Sequence, residues 1–208
     1  KPWYVAVAGS FSKKSNADKR VAFLKKKGIE AIVVKRVIND KTYYRVQAGA
    51  FSSKSKAVKM IKKLKNNGIK DAFLLTEKPL HINGITVGSS YNQLVQKFGQ
   101  PLKTENDKNT RSLYYEHDGA GVRVIINTGN GSIEQLQVYP EFLKTTTIPN
   151  EKDKILHAYG NPNEVNIVSC YESATCEQII YRFNKNQLIV QIDRDGKTVQ
   201  YLDLRKTK

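Results

Sequence analysis

Tyr44-Arg45-Val46-Gln47-Ala48-Gly49-Ala50-Phe51 decides the fold, because Tyr4-Val5-Ala6-Val7-Ala8-Gly9-Ser10-Phe11 carries the same plan forty residues earlier. Each reads as a strand, then Gly, a small residue and Phe, then Ser ahead of a basic helix. Residues 4–29 slide onto 44–69, and 13 of those 26 pairs are identical. The identities include Gly9/Gly49, Phe11/Phe51, Ala17/Ala57, Leu24/Leu64 and Gly28/Gly68. Glycines, aromatics and helix anchors coincide together, so the first unit is an internal duplication.

Each copy has a strand, a helix and a second strand. Trp3, Val5 and Val7 alternate with Tyr4, Ala6 and Ala8 as a strand requires. Ser12 or Ser15 is expected to cap the first helix, Ala17, Val21 and Leu24 form its apolar stripe, and Gly28 ends it. Residues 29–37 are rich in β-branched side chains and read as a strand, and Asn39-Asp40-Lys41 reads as a turn. The second copy gives strands at 43–48 and 72–76 around a helix striped by Ala57, Ile61 and Leu64. The order βαββαβ implies a four-stranded antiparallel sheet with two helices on one face. The other face is expected to lie open and to present Trp3, Val5, Val7, Tyr43, Arg45 and Gln47. Aromatic rings beside an amide and a guanidinium suit a sugar polymer, whose C–H faces stack and whose hydroxyls accept and donate. The competing account makes Trp3 and Tyr43 ordinary strand aromatics.

The motif Tyr-Val/Arg-x-x-Ala-Gly-x-Phe-Ser, a helix with an early Ala, and Gly-Ile at its end are repeated after forty residues. In this, residues 3–77 resemble the SPOR domain. That resemblance implies a ferredoxin-like βαββαβ fold that binds peptidoglycan glycan strands stripped of stem peptides on the open sheet face. It also implies attachment to division proteins or cell-wall amidases. Family members often carry Gln two residues before the first Gly. Gln47 keeps it in the second copy, while Val7 stands there in the first. The glycan-contacting set is therefore expected to be Trp3, Val7, Tyr43, Arg45 and Gln47, with only Gln47 carried over from the family.

Charge divides the chain. Residues 1–79 hold 20 Lys+Arg against 5 Asp+Glu, and residues 80–208 hold 15 against 14. The first unit, at +15, favours polyanions. Nucleic acid, anionic lipid and the anionic polymers of a cell wall all fit, as does the plain role of keeping lysine-rich helices soluble. Sugar binding alone leaves the lysines unexplained, so the helices are expected to attract the anionic wall while the sheet face reads glycan. No apolar run approaches the ~20 residues of a membrane-spanning helix. The chain opens at Lys1-Pro2-Trp3 without Met, which reads as a processed or excised segment.

Lys78-Pro79 marks the boundary, giving units of 1–78 and 79–208. In the second unit Val87–Pro101 aligns with Ile148–Pro162 at an offset of 61, each a short helix stopped by Gly-x-Pro. Three strands are expected after each helix: 113–116, 122–126 and 133–138, then 179–183, 188–192 and 199–204. Asp118-Gly119, 129–131, 184–186 and Asp195-Gly196 supply the turns. The tandem αβββ repeat resembles that of the β-lactamase inhibitor protein and small outer-membrane assembly lipoproteins, a likeness that implies a protein partner. Cys170 and Cys176, the only cysteines, are either a disulfide of an oxidising compartment or two free thiols.

No catalytic or metal-binding motif occurs. His81, His117 and His157 are isolated. Glu172 and Glu177 form the one carboxylate pair near the cysteines, and loop acids are the commoner reading. No cofactor is expected. The leading reading is a non-catalytic, extracytoplasmic cell-wall-binding protein. The alternatives are the targeting tail of an amidase whose catalytic domain lies upstream, and a nucleic-acid-binding module of RRM type. Val5 and Val7, standing where stacking rings belong, count against the last.

Overall fold

Two glycines set the geometry of the first sheet. β1 (Trp3–Phe11) and β3 (Lys41–Phe51) pair antiparallel at its centre, and the register slips once on each strand, at Ala8-Gly9 and at Ala48-Gly49. Each slip is a β-bulge, in which one strand holds an extra residue and bends. Gly9 and Gly49 have φ of 132° and 138°. Strict alternation would turn Phe11 and Phe51 away from the helices. The extra residue restores them to the side occupied by Ala8 and Ala48, and both rings pack against the core there. The ring then lies over its own glycine. A Cβ on Gly49 would stand 2.7 Å from Phe51 Cζ, and one on Gly9 3.0 Å from the Phe11 ring.

The computed structural model describes residues 2–38, 40–115, 121–142, 147–171 and 174–207, with Phe142 described in its main chain only. The chain divides into two compact units, Lys1–Pro79 and Leu80–Lys208. In the first, α1 (Lys14–Lys26) leads to β2 (Ile32–Ile38), and α2 (Lys54–Asn66) leads to β4 (Phe73–Glu77). The sheet order β2-β3-β1-β4 is that of the ferredoxin-like βαββαβ fold. Ala6, Ala8, Val46 and Ala48 of the central strands are buried with Ala17 and Leu24 of α1 and Leu64 of α2. Alanines at these positions let the helices come close to the sheet.

Each helix ends in a Schellman motif. The Gly28 and Ile29 amides donate to Lys25 and Leu24 carbonyls, and Gly68 and Ile69 repeat this to Lys65 and Leu64. Ile29 is thus a buried cap residue, and β2 starts at Ile32 rather than at 29. The expected serine caps are not made. Lys13 occupies the α1 N-cap, and Ser53 at the α2 N-cap makes no side-chain cap bond. Asn39 of the expected turn lies outside the described residues, and Asp40 takes φ of 60°.

The second unit is an eight-stranded antiparallel sheet in the order β5-β6-β7-β8-β12-β11-β10-β9. Two four-stranded meanders join through β8 (Ile133–Val138) and β12 (Val199–Lys206). Their helices, α3 (Tyr91–Phe98) and α4 (Lys152–Tyr159), start and stop at the expected offset of 61. Each meander holds one strand beyond the three expected, so the repeat is αββββ. The additions are β5 (Lys103–Asn106) and β9 (Glu164–Cys170), both edge strands. All four residues of β5 are polar and exposed, which leaves no hydrophobic alternation to mark it. The remaining strands are β6 (Thr110–Tyr115), β7 (Val122–Asn127), β10 (Ala174–Phe183) and β11 (Asn186–Ile192). Glu116 and the expected Asp118-Gly119 turn lie outside the described residues.

Ser90 and Gln93 form a reciprocal capping box on α3. Core residues Leu113, Val124, Leu136, Ile179, Val190 and Leu202 line the helix side of the sheet with Leu94 and Ile155. Tyr115 shares this core, and burial pushes its phenol up to about 12. On the far side, buried Asp203 accepts amide hydrogen bonds from Gln135 (2.9 Å) and Gln137 (3.3 Å). Cys170 and Cys176 are joined as a disulfide across the β9–β10 hairpin.

Three stability predictions follow from these placements. Gly49→Ala forces a strained φ and a ring clash, and should lower the stability of the first unit by about 1–3 kcal/mol. Leu64→Ala should cost ~2–5 kcal/mol through the cavity it leaves. Urea unfolding followed by the fluorescence of Trp3, the sole tryptophan, reads both. Replacing both cysteines by serine should remove ~2 kcal/mol from the second unit, measured by circular dichroism in urea. An unchanged midpoint would show that the bridge adds nothing to the hairpin.

Candidate functional site

The helix-free face of the first sheet is built by register. Ile32, Gln47, Val7 and Phe73 lie in one row across the four strands. Val34 and Arg45 lie toward one end of that row, followed by Arg36 and Tyr43. Val5 and Leu75 lie toward the other end, followed by Trp3 and Glu77. All of these point away from Ala6, Ala8, Val46 and Ala48, which face the helices.

The face is concave rather than flat. β2 and β4 are the two edges, and three inter-strand spacings would hold them roughly 14 Å apart in a flat sheet. Arg36 and Glu77 also sit toward opposite ends of the sheet. Yet Arg36 Nη2 donates to Glu77 Oε1 at 2.7 Å, and both side chains are largely buried, at 8% and 17% exposure. Only a strongly curled sheet brings those corners together. The two bulges supply bend and extra twist on the central strands.

The curvature changes the standing of the expected residues. Val7 has no exposed surface and Val5 retains 1%, so both are floor and Val7 has no surface to offer a ligand. This corrects its expected role as a contact. In its row Val7 lies between the larger Gln47 and Phe73, while Val5 lies between Leu75 and the small Ala50. Trp3, Tyr43, Arg45 and Gln47 are half-buried. Trp3 stands beside Glu77 and Tyr43 beside Arg36, so each end of the ion pair is flanked by a ring.

Arg45 Nε and Gln47 Nε2 are buried without a hydrogen-bond partner. Burial lowers the Arg45 pKa, the nearby Arg36 guanidinium lowers it further, and Glu77 acts against both. Glu77 pairs with Arg36 and acts on Arg45 only from nearby, so two desolvated donors stand without an acceptor. The chemistry of such a set suits an oxygen-rich, partly anionic ligand. Arg36 and Glu77 were not singled out by the sequence. They are 41 residues apart on the two edge strands, where Arg36 follows Lys35 in β2 and Glu77 is the last residue of β4.

Elsewhere the candidates for chemistry disperse. Glu177 is paired with Lys152 at 2.7 Å, and Glu172 and His117 lie outside the described residues. His81 accepts from the Gly84 amide, and His157 lies in the last turn of α4. Among the described residues no three metal-ligating side chains converge. No helix among them is long and apolar enough to cross a membrane.

Comparison with known proteins bears on the first unit. The sequence pattern of the SPOR domain matches residues 1–76. The solution structure of the peptidoglycan-binding domain of the Bacillus subtilis cell wall lytic enzyme CwlC is similar at 36% identity, covering 38% of this chain and 92% of that one, with a TM-score of 0.33. Two other similar structures cover more of the chain at lower identity. A cysteine-rich secretory protein from Staphylococcus aureus shares 16% identity over 64% of this chain and 46% of its own, TM-score 0.42. A DUF4309 family protein from Bacillus subtilis shares 16% over 63% of this chain and 88% of its own, TM-score 0.38. This chain thus spans less than half of the staphylococcal structure, and neither likeness bears on function. Comparison with curated proteins returns no match. Through residues 1–76, with the duplicated Gly-x-Phe bulge at their centre, this chain belongs to the SPOR domain family.

Proposed function

We propose that this chain is a non-catalytic cell-wall-binding protein whose first unit holds peptidoglycan glycan strands on its concave, helix-free face. The carrying observation is that one face holds Trp3 and Tyr43 together with the unpartnered donors of Arg45 and Gln47. Rings stack on the C–H faces of sugars, and a saccharide oxygen satisfies a donor that otherwise stays desolvated. The similarity to the peptidoglycan-binding domain of CwlC supports the same reading.

The lysine-rich outer faces of α1 and α2 play a separate part. Their ammonium groups are exposed and face away from the concave side, where they draw the protein to anionic wall polymers. The disulfide between Cys170 and Cys176 supports an extracytoplasmic setting. The second unit serves as a protein-binding module. Its edge strand β9 exposes Val165 and Ile167 on the side of the sheet that carries the helices, with Tyr171 exposed just beyond. An apolar edge of that kind fits strand addition by a partner.

CwlC is a cell wall lytic enzyme, and the likeness to its domain favours one further reading: this chain as the targeting portion of a wall hydrolase. Amide-bond hydrolysis by the full-length gene product on purified wall would establish that reading, and an inert product would remove it.

Retention on purified sacculi tests the main proposal. Arg45→Ala and Gln47→Ala should each weaken retention about five- to hundredfold, the equivalent of one hydrogen bond of 1–3 kcal/mol, with thermal unfolding little changed. Stripping the anionic polymers from the sacculi should flatten the salt dependence and leave the Arg45 and Gln47 effects in place. Variants that bind as the parent does would refute the placement of the glycan.

A further inference from the structure

The eight-stranded sheet has a helix-free side of its own. α3 and α4 pack on one side, over Ile179, Val190 and Leu202. On the other side Asp203, Ile189 and Ile180 form a row across β12, β11 and β10. No α-helix among the described residues of this unit covers them, yet each is at most 7% exposed. Longer side chains two residues along each strand shut them in. Arg205, Gln187 and Arg182 make one bank, and Tyr201, Gln191 and Gln178 make the other. The row is thus the floor of a trough that runs across the strands. With Gln137 of β8 it crosses four strands and is roughly 14 Å long, the reach of a short oligosaccharide.

The side chains around the trough are hydrogen-bonded into place. The Tyr201 hydroxyl donates to Gln191 Oε1 at 2.9 Å and accepts from Gln178. Asp203 holds Gln135 and Gln137 by their amide nitrogens, which leaves their carbonyl oxygens as acceptors. Arg205 Nε is buried without a hydrogen-bond partner, and so is Nε of Arg123, the neighbour of Gln137 on β7. The charges of the banks are matched, Arg182 with Glu164 at 2.8 Å and Arg205 with Asp203 at 3.5 Å. Unmatched cations would call for a polyanion. Here amides that both donate and accept stand on both banks, charge is balanced, and two isoleucines lie in the floor. Sugar rings, with hydroxyls at their edges and apolar C–H faces, meet all three conditions.

We infer that this trough is a second binding site, for an uncharged saccharide chain. It is separate from the concave face of the first unit and from the β9 edge. The hydroxyls exchange hydrogen bonds with Gln187 and Gln178, and the C–H faces lie on Ile189, Ile180 and the Tyr201 ring. A sugar oxygen accepts from Arg205 Nε. Because the banks are already ordered, little side-chain freedom is lost when the chain binds. Two sources share this chemistry: an N-acetylated amino-sugar chain such as wall glycan, and a polysaccharide that carries hydroxyls alone.

The test uses the full chain carrying Arg45→Ala and Gln47→Ala, so that the donors of the first unit are silent. The probes are two uncharged hexasaccharides, one of N-acetylglucosamine and one of glucose. Calorimetry should show one or both bound. Gln187→Ala and Gln178→Ala, one from each bank, should each weaken that binding about three- to tenfold with circular dichroism unchanged. Lys154→Ala, on α4 across the sheet, should leave it as it was. Tighter binding of the N-acetylglucosamine chain assigns the trough to an acetamido-bearing glycan. Equal or tighter binding of the glucose chain assigns it to a polysaccharide read by its hydroxyls. Binding of neither hexasaccharide, or binding that both folded bank variants leave unchanged, overturns the inference. The glycan reading of the first unit stands under either result, because its own donors are absent from this test.

Discussion

Gly9 and Gly49 impose the constraint on which the first unit rests. A central β-pair that alternates without interruption sends every second side chain to the helices, and Phe11 and Phe51 fall on the wrong parity. One extra residue per strand corrects the phase, and a glycine at positive φ makes room for the ring that closes over it. The same insertion bends the strand. Core closure and sheet curvature are therefore one event, made twice by the duplicated motif. The Gly-x-Phe spacing is a geometric requirement of both copies.

Curvature is what turns a sheet face into a candidate site. A flat sheet would leave Arg36 and Glu77 at far corners and Val5 and Val7 in solvent. The curled sheet buries the valines, brings the two charges into contact and places Trp3 and Tyr43 on either side of them. Stability is given up in return. Each buried donor without a partner costs about 1–3 kcal/mol, and Arg45 and Gln47 hold one each. The compact alanine-rich core and the two Schellman-terminated helices offset that cost on the other side of the sheet.

Sequence reading reached the fold through the repeat. Thirteen identities in one offset name the elements, and alternation within residues 3–8 and 43–48 separates the helix side from the helix-free side. The same alternation put Trp3, Tyr43, Arg45 and Gln47 on the helix-free face, where they lie. It misjudged Val7, because period-two patterning tells which face a residue is on and says nothing of how deeply that face is folded in. Arg36 and Glu77 escaped for a related reason: their meeting depends on curvature across three strand pairs. In the second unit the offset of 61 placed both helices, whereas β5, wholly polar and exposed, carries no hydrophobic signal.

The most direct test of a ligand-filled concave face is nuclear magnetic resonance of the full chain titrated with a peptide-free glycan oligosaccharide. The account predicts that the largest shifts fall on the Trp3 indole, the Arg36 and Arg45 guanidinium protons and the Gln47 side-chain amide, with the Ala17 and Ala57 side of the sheet unmoved. Shifts confined to the helix lysines, or to the second unit, would contradict it.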